Sequence, residues 1–179
     1  MRISSIQQGL IVEREFAKYL MIGSGGRIEV DAPLSDDERR DLELHIRGLF
    51  GLALTVQAKS AMALRQFSAK THYLEIHFEV AASRLVSNPF YWYFLAYLDP
   101  NLMRLGNPTF LVPSKVFHEL AAPSERDGVW RFTMAASMDP RSRDRWHPYR
   151  VDTLELGTRM LEIIRDLKKQ RPAWLPPAA

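Results

Sequence analysis

The 179 residues, 46% hydrophobic and 25% charged, match one globular domain, which we expect to span residues 1–171 ahead of a proline-rich tail at 172–179. The lack of cysteine excludes a disulfide framework, a thiolate metal site and a catalytic thiol. The net charge of +3 does not by itself identify an anionic partner, but residues 126–179 contain 11 basic and 7 acidic side chains, a surplus that suits nucleic acid.

No segment of the sequence predicts a membrane span or an export signal. The longest apolar run, at 90–98, is too short to cross a bilayer, and residues 1–8 are polar and lack an apolar signal core. We therefore expect a cytoplasmic protein without a membrane partner.

The first predicted elements are a helix and a short strand. Apolar residues recur at helical spacing between Gly9 and Met21, and the glycines at 23–26 predict the end of this helix. Residues 27–31 alternate between polar and apolar side chains, which predicts a strand. Residues 33–40 contain proline and several charges and are typical of a loop.

The next segment predicts two antiparallel strands. Residues 41–47 alternate strictly, which places Asp41 and every second residue after it on one face of a strand. The glycines that bound residues 48–51 predict a turn, and residues 52–59 are expected to return beside the preceding strand.

The rest of the chain is dominated by a buried strand and a second long helix. The nearly continuous apolar run at 90–98 predicts a central strand, and the apolar residues of 154–169 line one side of a helix. The shorter predicted elements are strands at 72–80, 109–112 and 129–135 and one or two helical turns at 114–120.

Four polar residues of these elements form a candidate site. A strand has a period of two, so Gln57 and Lys59 project from the same face. Glu13 lies on the inward side of the first helix, and Asp41 begins the strand that precedes theirs. This order over residues 9–98 resembles the PD-(D/E)XK superfamily of nucleases, which includes restriction enzymes and archaeal-type Holliday junction resolvases.

The resemblance implies an α/β fold with a restriction-endonuclease-like core, in which helices flank a central mixed β-sheet. It implies that Glu13, Asp41 and Gln57 bind Mg²⁺ or Mn²⁺. Lys59 is then the catalytic cation of a metal-dependent endonuclease that hydrolyses phosphodiester bonds in DNA. Gln57 departs from the superfamily, where an acidic residue is usual, and this change weakens metal binding. A homodimer is also expected, because cleaving both strands of a duplex normally requires two sites.

The sequence leaves several alternatives open. The chain is also compatible with a non-catalytic binding module that kept the nuclease fold and lost the metal with the change to glutamine. A separate alternative is that Gln57 and Lys59 are exposed on a solvated face and have no function. Asp31 is an alternative to Asp41, although the glycine turn brings the strand of Asp41 directly back to Gln57. A metalloprotein or hydrolase is a further possibility, with ligands that alternate along one predicted strand, namely Glu75, His77 and Glu79.

A basic and aromatic cluster lies between residues 141 and 150. Arginine side chains suit phosphates, and an interleaved tryptophan is able to stack on a base. The alternative is a solvated loop that the tryptophan anchors by packing. The cluster comprises Arg141, Arg143, Arg145, Trp146, His147, Tyr149 and Arg150.

Overall fold

The computed structural model describes residues 3–33, 41–68 and 71–169. The loop predicted at 33–40, apart from Pro33, and the tail predicted at 172–179 lie outside these residues. The helices are α1 (Ser5–Gly23), α2 (Ser114–Leu120) and α3 (Leu156–Lys169). The strands are β1 (Ile28–Asp31), β2 (Leu42–Ile46), β3 (Leu49–Ala61), β4 (Leu64–Ser68), β5 (Thr71–Ala81), β6 (Tyr91–Asp99), β7 (Arg104–Leu105), β8 (Thr109–Pro113), β9 (Ser124–Arg126), β10 (Val129–Ser137) and β11 (Arg150–Val151).

Among the described residues, the main sheet has seven strands and is mixed. Its order is β1-β2-β3-β6-β8-β11, and β7 pairs with β6. β3 and β6 are parallel, whereas β2 and β8 are antiparallel to them. The segments predicted at 41–47, 52–59 and 90–98 therefore lie in one sheet, and the predicted α/β fold with a central mixed sheet and flanking helices is confirmed.

The turn between β2 and β3 is shorter than the sequence predicts. β3 begins at Leu49, so the turn consists of Arg47 and Gly48 and does not extend to residue 51. Gly48 has a φ of +78°, a left-handed conformation that glycine adopts without a steric penalty. The register shifts between His45 and Ile46, so Ile46 pairs with Leu49 beside the turn, whereas Leu42 pairs with Val56 near the candidate site.

α1 and α3 pack together on one face of the main sheet. In α1, Phe16 is fully buried and stacks on Phe94 of β6, with ring centroids 4.0 Å apart. α1 starts earlier than predicted because Ser4 caps it: the Ser4 hydroxyl accepts a hydrogen bond from the Gln7 amide, and the Gln7 side chain accepts one from the Ser4 amide. Across the described ranges, no helix is long and apolar enough to cross a membrane.

A second sheet covers the other face of the main sheet. It contains four antiparallel strands in the order β4-β5-β10-β9. Its inner face forms an aromatic core with the main sheet, in which Phe132 of β10, Phe117 of α2 and Tyr93 of β6 are buried. The sequence predicted strands at 72–80 and 129–135 but did not place them in a separate sheet.

His118 of α2 is held in this aromatic core as a neutral side chain. Its ring stacks on Phe132 at a centroid distance of 5.0 Å, and its Nε2 lies 3.0 Å from the hydroxyl of Tyr93. Burial lowers the pKa of His118 to about 4 because the charged ring is poorly solvated there.

The depressed pKa predicts a loss of stability in mild acid. Above pH 6.5 His118 is neutral in both states, whereas between pH 6.5 and 4 only the unfolded chain takes up the proton. We expect the free energy of unfolding from urea titrations to fall between pH 7 and pH 5. We expect a shallower fall for His118→Gln, whose amide still reaches Tyr93. Equal falls for the two proteins would show that His118 does not contribute.

Candidate functional site

The candidate site begins with Gln57 in the middle of β3. Its neighbour Val56 is fully buried among residues of the helix face, so Gln57 points to the opposite face, beside its register partner Tyr93. Only 3% of Gln57 is exposed. The interpretation of Gln57 as an exposed residue on a solvated face is therefore wrong.

The side-chain amide oxygen of Gln57 is buried without a hydrogen bond. Gln57 Oε1 is buried and has no hydrogen-bond partner within the described part of the chain. A buried acceptor that stays unpaired costs about 1–3 kcal/mol. The oxygen is therefore suited to accept a hydrogen bond from, or to coordinate, a group that enters the site.

Asp41 lies directly beside Gln57. The register pairs Leu42 with Val56, which places Asp41, directly before β2, opposite Gln57. Asp41 Oδ2 accepts a hydrogen bond of 2.7 Å from the backbone amide of Ala58, the residue between Gln57 and Lys59. This bond holds the carboxylate against the strand that carries the other two side chains.

Asp31 occupies a different position. It belongs to β1, which is separated from β3 by β2, and its register partner is Glu43. Its side chain is 71% exposed, with Oδ2 3.6 Å from Nε2 of His45. Of the two candidate aspartates, Asp41 is therefore the one that contacts β3 directly, and Asp31 does not.

Lys59 shares the face of Gln57 and points toward the second sheet. Its Nζ lies 6.0 Å from the ring centroid of Phe78 on β5, at the outer limit of a cation–π contact. The residue also borders a cavity of about 270 Å³ between β3 and the first turns of α1, which Gln8 and Ser60 line as well. Lys59 is thus partly buried beside Gln57 and Ala58.

Gln8 is a residue of this region that the sequence analysis missed. Its side-chain amide donates to the hydroxyl of Ser60 at 2.8 Å and to the carbonyl of Ser60 at 3.0 Å. These bonds tie the first turns of α1 to the strand that carries Lys59. No sequence pattern marks this pair, because its members are 52 positions apart.

Glu13 lies on the other side of the sheet from Gln57. α1 packs on the helix face, and Glu13 lines a groove of about 290 Å³ together with Val30 and Leu42. Leu42 is the neighbour of Asp41, so Glu13 approaches the site from the helix side. The structure thus places Asp41, Gln57 and Lys59 together, and it places Glu13 in an adjacent groove.

The oxygen donors that lie together in the site are the carboxylate of Asp41 and the amide of Gln57. Within residues 3–33, 41–68 and 71–169, no group of three or more histidine, aspartate or glutamate side chains is placed to hold a metal ion. Mg²⁺ nevertheless commonly uses only one or two carboxylates and keeps several waters. Asp41 and the unpaired Gln57 oxygen therefore fit such an ion as ligands from adjacent strands.

The alternative metal ligands on β5 are engaged in other contacts. Glu75 accepts a hydrogen bond of 3.0 Å from Arg65, and Nδ1 of His77 lies 3.0 Å from the Thr133 hydroxyl. On the same face, Glu79 accepts a bond of 2.6 Å from Arg131. The structure therefore does not assemble Glu75, His77 and Glu79 into a metal centre.

Two members of the basic cluster have structural roles. Trp146 is 1% exposed and packs on Phe117, with centroids 5.7 Å apart, so the prediction that it stacks on a base is wrong. The Arg150 guanidinium is also turned inward, which contradicts its predicted contact with nucleic acid. It donates to three backbone carbonyls, those of Ser137, Asp139 and Ser142, and to the carboxylate of Asp144.

The other arginines of the cluster lie at the surface. Arg143 is exposed, and Arg145 is exposed while donating to the carbonyl of Leu120. Arg141 is 89% exposed and pairs with Asp139. Hydrogen bonds from Arg141 lower the pKa of the Asp139 carboxyl and keep the pair charged. Burial of Trp146 thus fixes the loop and leaves three arginines facing solvent.

Comparison with known proteins identifies the fold. No family model matches the chain. A search of curated protein sequences finds no match either. Among solved structures, the chain is similar to the bacterial homing endonuclease I-Ssp6803I, with a TM-score of 0.51 and 16% sequence identity over 95% of this chain and 100% of that chain. The chain therefore has a nuclease-like fold, in which helices flank a central mixed sheet.

Proposed function

We propose that this chain is a metal-dependent nuclease of the PD-(D/E)XK type that hydrolyses phosphodiester bonds in DNA. The observation that carries the proposal is the contact of Asp41 with the strand segment from Gln57 to Lys59, beside a buried amide oxygen without a partner. The fold shared with a homing endonuclease supports the choice of DNA as the substrate.

The proposed ligands come from three elements. Gln57 lies on β3 and Asp41 directly precedes β2. Glu13 of α1 is proposed as a further ligand, which would reach the metal from the helix side of the sheet. Bound Mg²⁺ or Mn²⁺ would supply Lewis-acid chemistry that activates a water and neutralises charge developing on the phosphate. Lys59 then orients the attacking water or stabilises the additional negative charge with its ammonium group.

The amide of Gln57 also supports a second candidate function. A neutral oxygen in place of a carboxylate leaves two negative charges near the metal, which favours weak binding. A chain that kept the fold and lost the metal would bind nucleic acid without cleaving it. Metal affinity therefore separates the enzyme from the binding module.

The Gln57→Glu variant is expected to bind Mg²⁺ and Mn²⁺ about tenfold more tightly than the wild type. The added charge attracts the cation by several kcal/mol at an effective dielectric constant near 20, although desolvation of the carboxylate offsets much of this gain. Isothermal calorimetry of the two proteins measures the difference. Gln66→Glu, which adds the same charge at an exposed position on β4, is the matched control and should leave the affinity unchanged.

The wild type and Gln57→Glu also test whether the protein cleaves DNA. The wild type is expected to cleave DNA slowly, with Mn²⁺ at least as effective as Mg²⁺. If calorimetry detects no metal in the wild type or in Gln57→Glu, and neither plasmid DNA nor RNA is cleaved, the catalytic proposal is wrong. The binding-module function then takes its place.

The exposed arginines of the basic cluster are proposed to contact phosphates. Replacing Arg141, Arg143 and Arg145 together by alanine is expected to weaken DNA binding and to flatten its salt dependence. The log-log slope should fall by about 0.9 for each lost phosphate contact in duplex DNA. Titrations at several salt concentrations measure the slope, and an unchanged value would show that these arginines only solvate the loop.

We also propose that the nuclease acts as a homodimer. The expectation rests on the two strands of duplex DNA, each of which needs an active site.

A further inference from the structure

Positive charge also accumulates around the candidate site. Residues 44–74 contain no aspartate or glutamate, whereas they contain Arg47, Lys59, Arg65 and Lys70. Averaged over residues 1–125, which contain 13 basic and 14 acidic side chains, the charge is nearly balanced, so the total does not reveal this stretch. A duplex carries one negative charge per about 1.7 Å of its axis and attracts the basic side chains of this stretch. Of these, Arg47 and Arg65 also lie beside a carboxylate from outside the stretch, Glu29 at 3.7 Å and Glu75 at 3.0 Å.

The β4–β5 hairpin, residues 64–81, exposes an aromatic side chain within this stretch. Its register pairs Arg65 with Tyr73 and Gln66 with His72, and a bulge before Ser68 leaves Phe67 unpaired. Phe67 is 77% exposed, and its ring lies edge-on to Tyr73 at a centroid distance of 6.0 Å. Bulges re-aim side chains and cluster near active sites.

The hairpin follows closely after the candidate site in the chain. β3, which carries Lys59, ends at Ala61, and β4 begins at Leu64 after two intervening residues. A five-residue strand is about 17 Å long, which corresponds to about five steps along one DNA strand of about 3.4 Å each. A duplex whose backbone lies at Lys59 is therefore within reach of the hairpin.

We propose that the β4–β5 hairpin contacts duplex DNA and that Phe67 touches the bases a few steps from the cleaved phosphate. This inference rests on the proposed nuclease function, since it names the surface that holds the substrate of that site. Phenylalanine suits the contact because it packs on thymine methyl groups or wedges between base steps. Arg65 lies on the same strand as Phe67, with its side chain 62% exposed beside Glu75.

The first test compares Phe67→Ala with wild type on a 40-base-pair mixed-sequence duplex in EDTA. We expect Kd to rise about 10- to 100-fold, because the buried area of one aromatic ring is lost. The salt slope should stay the same, because no charge is removed. Leu154→Ala, which truncates another exposed apolar residue at 71% exposure, is the control and should leave Kd unchanged. An unchanged Kd for Phe67→Ala would overturn the inference.

The second test measures proximity directly. Phe67→p-benzoylphenylalanine is expected to crosslink to the duplex on irradiation, whereas Leu154→p-benzoylphenylalanine is not. Wild-type binding without a crosslink at position 67 overturns the hairpin contact and leaves the proposed function standing. A wild type that does not bind the duplex overturns both proposals. A crosslink to a matched RNA duplex alone contradicts the assignment of DNA as the partner.

Discussion

Lys59→Ala is expected to reduce DNA cleavage by about 100- to 1000-fold, the loss typical when one group that stabilises transition-state charge is removed. The alanine lacks the ammonium that the proposal places beside the scissile phosphate. Metal binding should stay close to the wild-type value, because Asp41 and Gln57 keep their oxygens and their contact through Ala58. A loss of rate at constant metal affinity is the signature of a catalytic cation.

Single-turnover cleavage at saturating Mn²⁺, with calorimetry on the same samples, separates these two effects. Lys115→Ala, on an exposed position of α2, is the matched control and should cleave at the wild-type rate. Lys59→Arg keeps the charge and should retain more activity than Lys59→Ala. Equal cleavage by wild type and Lys59→Ala would remove Lys59 from the mechanism.

Gly157→Ala is expected to destabilise the fold by about 3 kcal/mol, at the upper end of the usual cost of overpacking a core. A Cβ at this position would lie 2.3 Å from the Ser24 nitrogen and 2.6 Å from the Leu20 carbonyl oxygen. Both are backbone atoms at the end of α1, so no side chain is able to move aside. α3 must therefore separate from α1 at their closest approach.

Urea titration and thermal melting measure this change. For a chain of this size, about 3 kcal/mol corresponds to a fall in Tm of about 6–12 °C. Gly9→Ala is the control, because its Cβ would meet only Glu13 Oε1 at 3.8 Å. That variant should be more stable by about 0.5–1 kcal/mol, since alanine favours the helix. A Gly157→Ala protein as stable as wild type would contradict the packing argument.

Local patterns in the sequence account for most of the secondary structure. The segment predicted at 114–120 coincides with α2, and the strands predicted at 90–98 and 109–112 differ from β6 and β8 by one residue at their ends. These elements were predictable because periodicity and turn residues act over a few neighbours. The second sheet was not, because the paired residues of β5 and β10 are 48 to 64 positions apart in the chain.

The basic cluster at 141–150 is a second case in which local sequence patterns did not predict the structure. Arginines at 141, 143, 145 and 150 look alike in the sequence, yet Arg150 alone binds carbonyls of the loop interior. Its neighbour Trp146 is buried because Phe117, far away in the chain, offers it an apolar surface. Which member of such a cluster is buried depends on packing partners that no local pattern specifies.

The sequence by itself determined that Gln57 and Lys59 share a face of β3, because side chains alternate along any strand. The structure adds that Asp41 lies opposite Gln57, because an irregularity between His45 and Ile46 shifts the register between the turn at Gly48 and the site. Only the tertiary structure decided that Gln57 is buried, that Lys59 points toward Phe78, and that Glu13 lies across the sheet from them. These properties depend on which layer, the helices or the second sheet, covers each face of the main sheet. Contacts between distant parts of the chain determine how those layers are arranged.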